Sequence, residues 1–318
     1  ESVGLGQVTF DGGSLRADAD RVIAADQGIR VTNIANGGVG AVIVDSGVTV
    51  AIANAIDGDG TLAKDGLGTL ILSNANQQTG TSVREGTLLY SADNRLRTDG
   101  GGTLTVEGGT LDLNGFNQDS AGAVRFLGGL VTNGTITKTV SDFDAQAGEV
   151  AATLQGTAGL TKTGAGTTTL SGSNAYQGAT VVVEGSLRID NANGLPGGIG
   201  ATGGTSALIL TNGGMLGIGI GETFARDLGT GIEDVQWAGS GGFAAYGADR
   251  YVNIGGATQT LVWGQANFVG GDNELVFGAA DSTHTLIFEN NIEMDGTNRF
   301  RANNGFADVD GRITGNLS

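Results

Sequence analysis

Paired acidic residues in turn-like segments are the groups in this sequence best suited to chemistry. They are Asp18/Asp20, Asp57/Asp59, Asp272/Glu274 and Asp308/Asp310. Calcium prefers several oxygen ligands, and turn carboxylates and carbonyls supply them. None of the four segments has the twelve-residue EF loop or the calcium-binding nonapeptide pattern. Calcium is therefore kept as a hypothesis for Asp57, Asp59, Asp308 and Asp310, beside the alternative that these are solvated turn acids. No other cofactor is expected.

The residues that catalysis usually requires do not form a recognisable set. The chain has one histidine, His284, and no cysteine, so zinc would have to rely on carboxylates. The segment around His284 has no nucleophile elbow. The glycines of 217–221 have no helix after them, so they do not predict a phosphate loop. We therefore predict no catalytic residue and no enzymatic activity.

Polysaccharide lyases remain the minority enzymatic alternative, because such enzymes combine grouped carboxylates with a basic residue. Arg250, Arg299 and Arg301 could supply the base. Their spacing does not pair them with acidic residues. A polysaccharide-degrading enzyme would therefore be predicted from analogy of fold alone.

The aromatic side chains are concentrated in residues 224–318. This stretch holds seven of the eleven phenylalanines and both tryptophans. Core filling explains the pattern, since repeat coils stack like side chains over one another. The alternative is a contact surface for glycan or another partner, because exposed aromatics often mark binding sites. Its candidate residues are Trp237, Tyr246, Tyr251 and Trp263.

Composition and charge limit the class of protein further. The 318 residues include 60 glycines and one proline, with a formal net charge of −17. A polyanion is repelled by nucleic acids and anionic lipids, so neither is an expected partner. No apolar run reaches the 18 residues of a membrane-spanning helix, so we expect no membrane insertion by this segment.

Short alternating strands and an internal repeat predict the fold. Strands such as Gly68-Thr-Leu-Ile-Leu and Gly86-Thr-Leu-Leu-Tyr alternate apolar and polar residues between glycine-rich turns. Residues 56–96 resemble residues 154–195, and Lys64 aligns with Lys162. A propeller would need four antiparallel strands per blade of about 40 residues. The short strands and variable connections instead favour an all-β, right-handed, single-stranded parallel β-helix.

Two segments carry a resemblance to a known family. Residues 62–73 and 160–178 resemble the passenger-associated transport repeat, or autotransporter-associated β-strand repeat. The second copy follows the family pattern closely, whereas the first departs at Asn74 and Gln78. The resemblance implies a right-handed β-helix exported to the bacterial cell surface. It also implies an extracellular role in adhesion, aggregation or a plain stalk.

We therefore expect residues 1–318 to form one continuous β-helix segment, part of a longer protein, with an aromatic-richer part from about 224 to 318. The expected function is a structural segment of a surface fibre or autotransporter passenger. An adhesin that binds glycan or neighbouring molecules is the alternative. Strand-like sequence at both ends predicts end-to-end self-association, or continuation of the same chain. Lys64 and Lys162 are expected to be exposed at one equivalent corner.

Overall fold

The structure is a computed structural model that describes residues 6–33, 38–97, 102–221, 223–256, 259–294, 296, 298–302 and 311–318. Within these ranges the secondary structure consists of strands, and no helix is long and apolar enough to cross a membrane. The chain divides into two compact units. Unit 1 comprises Glu1–Phe143 and Gly148–Gln155, and unit 2 comprises Asp144–Ala147 and Gly156–Ser318.

The strands are short, because glycine, asparagine and aspartate interrupt the chain every few residues. Up to residue 156 they are β1 (Gln7–Phe10), β2 (Gly13–Ala17), β3 (Arg21–Ile23), β4 (Gly28–Val31), β5 (Val39–Val44), β6 (Thr49–Ile52), β7 (Ile56–Asp57), β8 (Thr61–Asp65), β9 (Thr69–Leu72), β10 (Gly80–Val83), β11 (Thr87–Tyr90), β12 (Thr103–Val106), β13 (Thr110–Asp112), β14 (Asn117–Ser120), β15 (Val124–Phe126), β16 (Leu130–Thr132), β17 (Thr135–Lys138), β18 (Phe143–Ala145), β19 (Gly148–Val150) and β20 (Thr153–Gly156).

The later strands have the same lengths and the same spacing by turns. They are β21 (Leu160–Lys162), β22 (Thr167–Leu170), β23 (Ala175–Tyr176), β24 (Thr180–Val182), β25 (Ser186–Ile189), β26 (Leu208–Leu210), β27 (Gly214–Ile218), β28 (Thr223–Phe224), β29 (Val235–Trp237), β30 (Gly241–Ala245), β31 (Arg250–Val252), β32 (Thr260–Val262), β33 (Glu274–Phe277), β34 (Leu286–Phe288), β35 (Asn291–Glu293), β36 (Arg299–Ala302) and β37 (Gly311–Ile313).

Unit 1 contains stacks of parallel strands that are not consecutive in the chain. One stack has the order β2-β5-β8-β10-β12-β15, and another has the order β3-β6-β9-β11-β13-β16-β19. Smaller stacks are β1-β4-β7 and β14-β17-β20. Each strand thus pairs with one about twenty residues away, after the chain has passed through the other sheets. This is the path of a parallel β-helix.

Unit 2 has the same organisation. Its stacks are β21-β24-β26-β29, β22-β25-β27-β30-β33-β36, β28-β31-β34-β37 and β32-β35. The strand pairs are parallel, and an isolated antiparallel bridge joins Ala245 to His284. The predicted all-β parallel β-helix is therefore confirmed. The prediction of one continuous helix through residues 1–318 stays a prediction.

The core consists of columns of apolar side chains at matching positions of successive coils. In unit 1, β6, β9, β11, β13, β16 and β19 contribute the column Val50, Leu70, Leu88, Leu111, Val131 and Val150. In unit 2, Leu170, Ile189 and Ile218 form an equivalent column. All of these side chains are buried. Because side chains alternate across a strand, register alone keeps each column inside.

Part of one sheet in unit 2 is covered on both faces. Strands β27 and β30 are buried at every residue. Leu216 and Phe243 face the interior column, whereas Met215, Ala244 and Tyr246 pack on the other face with Val276 and Ala279. Residues 278–284 turn back over that face, and the amide of Thr283 donates to Ala245 O. The result is a second apolar cluster outside the coil.

Candidate functional site

The two repeat segments share a corner built around a buried lysine. Lys64 is the penultimate residue of β8 and lies beside Val42 and Val83, in an inward-facing column. Its Nζ donates to three main-chain carbonyls: Asp65 O at 2.9 Å, Gly66 O at 2.6 Å and Glu85 O at 3.0 Å. The ammonium therefore joins the turns of two successive coils.

Lys162 makes the same contacts in the second repeat. Its Nζ donates to Thr163 O at 2.9 Å, Gly164 O at 2.6 Å and Glu184 O at 3.0 Å. Both lysines thus occupy one equivalent corner, as the sequence predicts. The predicted exposure is wrong, because 1% of Lys64 and 0% of Lys162 is accessible to solvent. The reason is strand parity: each lysine lies two residues after an inward leucine, Leu62 or Leu160.

Burial also changes the acid–base properties of these lysines. Desolvation lowers the pKa of Lys64 and of Lys162 from 10.5 to about 8, and nearby carboxylates oppose the shift. The carbonyl oxygens are good acceptors but carry no full charge. The corners hold lysine as a main-chain cross-link, and we assign them a structural role.

Other elements of the two repeats match as well. Asn76 donates to Arg95 O at 2.9 Å, and Asn174 donates to Gly194 O at 2.8 Å. Where the second copy has Tyr176, whose hydroxyl lies 2.7 Å from Thr180 Oγ1, the first has Gln78. Gln78 Nε2 donates to Thr81 Oγ1 at 3.0 Å. The departure from the repeat pattern therefore keeps a hydrogen bond to an equivalent threonine.

Two further buried cations bind main-chain carbonyls in the same way. Lys138 donates to Gly122 O and Val140 O. Arg226 donates to Pro196 O, Gly198 O and Ser206 O, and burial lowers its pKa from 12.5 to about 10. All three lysines of the sequence thus serve as internal donors to the backbone.

Unit 2 also carries an open polar groove, which we call the main groove. Its volume is about 590 Å³. It is lined by residues 165–167, 184–186, Asn212, Gly213, Met215, residues 279–281 and Arg301. Residues 165–167, residues 184–186 and the pair Asn212–Gly213 lie at the turns that lead into β22, β25 and β27. Because these strands stack in parallel, the three turns lie side by side. The covering segment 278–284 supplies the opposite wall.

Asp281 is the best-positioned side chain of the main groove. Its Oδ1 accepts a hydrogen bond from the Tyr246 hydroxyl at 2.6 Å, and its Oδ2 accepts one from Thr167 Oγ1 at 2.8 Å. Desolvation by burial, reinforced by Asp281, raises the pKa of Tyr246 above its usual value, so the phenol remains a donor at neutral pH. Asp281 itself is exposed. Its carboxylate therefore faces the groove in a fixed orientation.

Arg301 forms the border between the main groove and a second cavity of about 430 Å³, which we call the side cavity. Its Nε forms an ion pair with Glu274 Oε2 at 2.8 Å. Asn212, Gly213 and Arg301 line both cavities. The two cavities are therefore contiguous along the surface of unit 2.

The structure does not support three of the four aromatic residues predicted as a contact surface. Trp237 is 6% exposed, Tyr246 1% and Trp263 3%, whereas Tyr251 is half-buried. Trp237 packs edge-on against Phe243 and Phe268. Aromatic rings fill the interior of this part of unit 2, so this contact surface is corrected to core for Trp237, Tyr246 and Trp263.

Of the other predicted sites, the acidic pair Asp272 and Glu274 forms ion pairs with Arg299 and Arg301, at 3.2 Å and 2.8 Å. The calcium candidates are not brought together in this way. Asp59 Oδ1 accepts from the Asn33 amide at 3.0 Å, and Asp57 is half-buried beside Arg30. Asp308 and Asp310 lie outside the described residues. Across the ranges that the structure describes, no three His, Cys, Asp or Glu side chains are grouped to hold a metal. Calcium at these positions stays a hypothesis.

Of the basic residues, Arg301 reaches the main groove, whereas Arg250 donates to the carbonyls of Gly219, Gly221 and Tyr246. The lone His284 contacts Thr283 Oγ1 through Nδ1 at 2.9 Å. Sequence reasoning missed Glu184 and Asp281 as groove residues. One signal was available: residues 241–246 read Gly-Gly-Phe-Ala-Ala-Tyr without alternation, which is typical of a strand covered on both faces.

Comparison with known proteins agrees with this architecture. The stacked coils and lysine corners define a parallel β-helix with a repeated corner, and the passenger-associated-transport-repeat family matches residues 58–89 and 160–189. The chain therefore carries these repeats, as its resemblance to the family predicts. No solved structure matches the chain.

One curated relative points to the same kind of protein. The chain is 32% identical over 205 residues to the adhesin BmaC autotransporter of Brucella suis biovar 1 (strain 1330). The alignment covers 61% of this chain and about 6% of that relative. Repeats and similarity together make this chain autotransporter passenger-like.

Proposed function

We propose that this chain is a structural segment of a secreted bacterial surface fibre or autotransporter passenger. The observation that carries the proposal is the set of in-register core columns within each unit, such as Leu70, Leu88 and Leu111. Each coil contributes one layer and is supported by its neighbours, which gives a stiff scaffold. The repeat family and the Brucella relative support an extracellular, non-enzymatic role at the cell surface.

Protease protection and segment exchange test the scaffold role. The isolated chain should resist trypsin in its stacked regions, and cells that make the parent protein should display the chain to antibody. Replacing the chain by an unrelated β-helix with the same number of coils should preserve surface display and cell attachment. Attachment lost in that replacement, with display intact, would contradict a purely structural role.

Adhesion is the second candidate function. The Brucella relative is named an adhesin, and unit 2 carries an open groove with fixed polar groups. Because both tryptophans are buried, an adhesive surface would not be the aromatic one that the sequence suggests. If the groove mediates adhesion, the full-length parent protein with a mutated groove should lose cell attachment. The segment exchange described above distinguishes this role from a purely structural one. End-to-end self-association through main-chain pairing remains a prediction.

A further inference from the structure

We propose that the main groove of unit 2 binds a neutral oligosaccharide. This goes beyond the scaffold role, because a rigid coil needs no groove. It is also independent of that role, since a scaffold without a ligand would remain a scaffold. The size of the groove, its lining groups and the orientation of the Asp281 carboxylate support the proposal.

Size and lining suit a small polar ligand with an apolar face. A volume of about 590 Å³ lies within the ~300–1,000 Å³ range of small-molecule sites. Ala165 and Ala280 contribute exposed apolar surface, while Asp281, Glu184 and Arg301 contribute acceptors and donors. Sugar rings present C–H surface on their faces and hydroxyl groups around their edges. The mixed lining therefore matches a saccharide better than a purely apolar molecule.

The carboxylate of Asp281 already binds hydroxyl groups of its own chain. Tyr246 and Thr167 donate O–H hydrogen bonds to its two oxygens at 2.6 Å and 2.8 Å. Each carboxylate oxygen has further acceptor capacity, and the exposed side places it toward the groove. Because two donors fix this acceptor before any ligand arrives, binding loses little side-chain entropy. A vicinal pair of sugar hydroxyls would extend the same hydrogen-bond pattern.

The charges around the groove favour a neutral ligand over an acidic one. Glu184 and Asp281 repel an acidic glycan, and the formal net charge of −17 adds to that repulsion. Arg301 lies between the main groove and the side cavity and can donate to hydroxyl groups on either side. Its ion pair with Glu274 partly offsets its charge, so toward a ligand the guanidinium acts as a donor. Neutral hydroxyl groups can use both kinds of group.

The contiguous side cavity indicates an oligomer of sugars. It adds about 430 Å³ and is lined by polar residues that include Thr211, Ser240 and Asn273. Asn212 and Arg301 line both cavities, so a chain-like ligand could contact them from one cavity to the other. A single sugar would leave the side cavity unused.

The test is titration of the full chain with defined labelled oligosaccharides. The probes are neutral oligomers of glucose, as in bacterial polysaccharide, and galactose- or mannose-terminated glycans, as on host cells. A hyaluronan hexamer and an oligolysine peptide are the charged comparisons. We expect saturable binding to at least one neutral class and none to the hyaluronan. The class that binds distinguishes a bacterial source from a host source.

Two groove variants and one control locate the binding. Glu184→Gln and Asp281→Asn should each weaken binding at least about tenfold, as expected for loss of a charge-assisted hydrogen bond. Asp26→Asn makes the same charge change on an exposed residue of unit 1 and should leave affinity unchanged. Unchanged melting temperatures would show that the variants fold. Absence of binding to every neutral probe, equal affinity in all variants, or binding to oligolysine alone would overturn the proposal.

Discussion

At the scale of single residues, buried cations replace water as donors to main-chain carbonyls. Lys64, Lys162, Lys138 and Arg226 all direct their charged groups at backbone oxygens of turns. Buried carbonyls require partners, and a tight corner between coils has few amides to offer. A long side chain that starts in the core and ends at the corner supplies several donors at once.

Removal of one such donor should destabilise its unit. Lys162→Met keeps a long apolar stem but leaves Thr163 O, Gly164 O and Glu184 O without the ammonium. We expect a loss of about 1–3 kcal/mol in the free energy of unfolding, measured by urea denaturation. Arg30→Met replaces an exposed cation and should change stability by less than about 0.5 kcal/mol. Equal stability of the two variants would refute the cross-linking role of Lys162.

The same lysines predict how stability depends on pH. Their pKa values are about 8 in the folded chain and 10.5 in the unfolded chain. Between these values the unfolded state binds more protons, so stability should rise as pH increases from 8 towards 10. Below pH 8 both lysines are protonated in the folded chain, so the full cost of burying their charge lowers stability. Tyrosines with raised pKa values act in the opposite direction above pH 10, so the useful window ends there.

The comparison that isolates this effect is the double variant Lys64→Met/Lys162→Met. Urea denaturation at several pH values from 7.5 to 9.5 should show a smaller rise in stability for the double variant than for the original chain. Parallel pH profiles would mean that these lysines have ordinary pKa values in the folded chain.

The position of the lysines could be deduced from sequence, although we expected them to be exposed. Leu62 and Lys64 have the same parity, and so do Leu160 and Lys162. The general tendency of lysine to lie at the surface suggested otherwise. What the sequence does not contain is the position of the carbonyls that receive the ammonium, because these come partly from the next coil.

At the scale of elements, stacked glycine turns allow the coils to approach each other. Gly86 has a φ of 59° and Gly185 a φ of 67°. A Cβ atom at residue 86 would overlap the carbonyl oxygens of Gly66 and Gly68, and one at residue 185 would overlap those of Gly164 and Gly166. The glycines of the repeat pattern are thus required by close backbone contact between coils.

Substitution at such a turn should be unfavourable for two reasons, backbone conformation and overlap. Gly86→Ala should lower the free energy of unfolding by at least about 1–2 kcal/mol, the cost of a left-handed conformation with a Cβ atom. Gly200→Ala is the matched control, because a Cβ atom there meets nothing within 4 Å and its φ is not in the left-handed region. Thermal melting of both variants measures the difference. A Gly86→Ala protein as stable as the control would show that this turn has room for a side chain.

At the scale of the whole molecule, the sequence predicts the repeated coils but not the groove, which occurs once. Alternation at Leu70, Leu88 and Leu170 is sufficient to identify strands, inward faces and the parallel β-helix. The main groove depends on residues 278–284 folding back over β27 and β30, a contact between distant segments with no periodic signal. Glu184 and Asp281 therefore line one groove that forms only in the folded chain.

Disulfide cross-linking tests the parallel register most directly, since the chain has no cysteine of its own. Ile71 and Leu89 are paired partners on the outward face of β9 and β11. Parallel in-register neighbours lie within the Cα separation of about 4.4–6.8 Å that a disulfide requires. Ile71→Cys/Leu89→Cys should form an intramolecular disulfide in the folded chain. Ile71→Cys/Leu88→Cys, in which Leu88 faces the interior, should not. The reverse result, or equal cross-linking of both pairs, would contradict the parallel, in-register stacking of the β-helix.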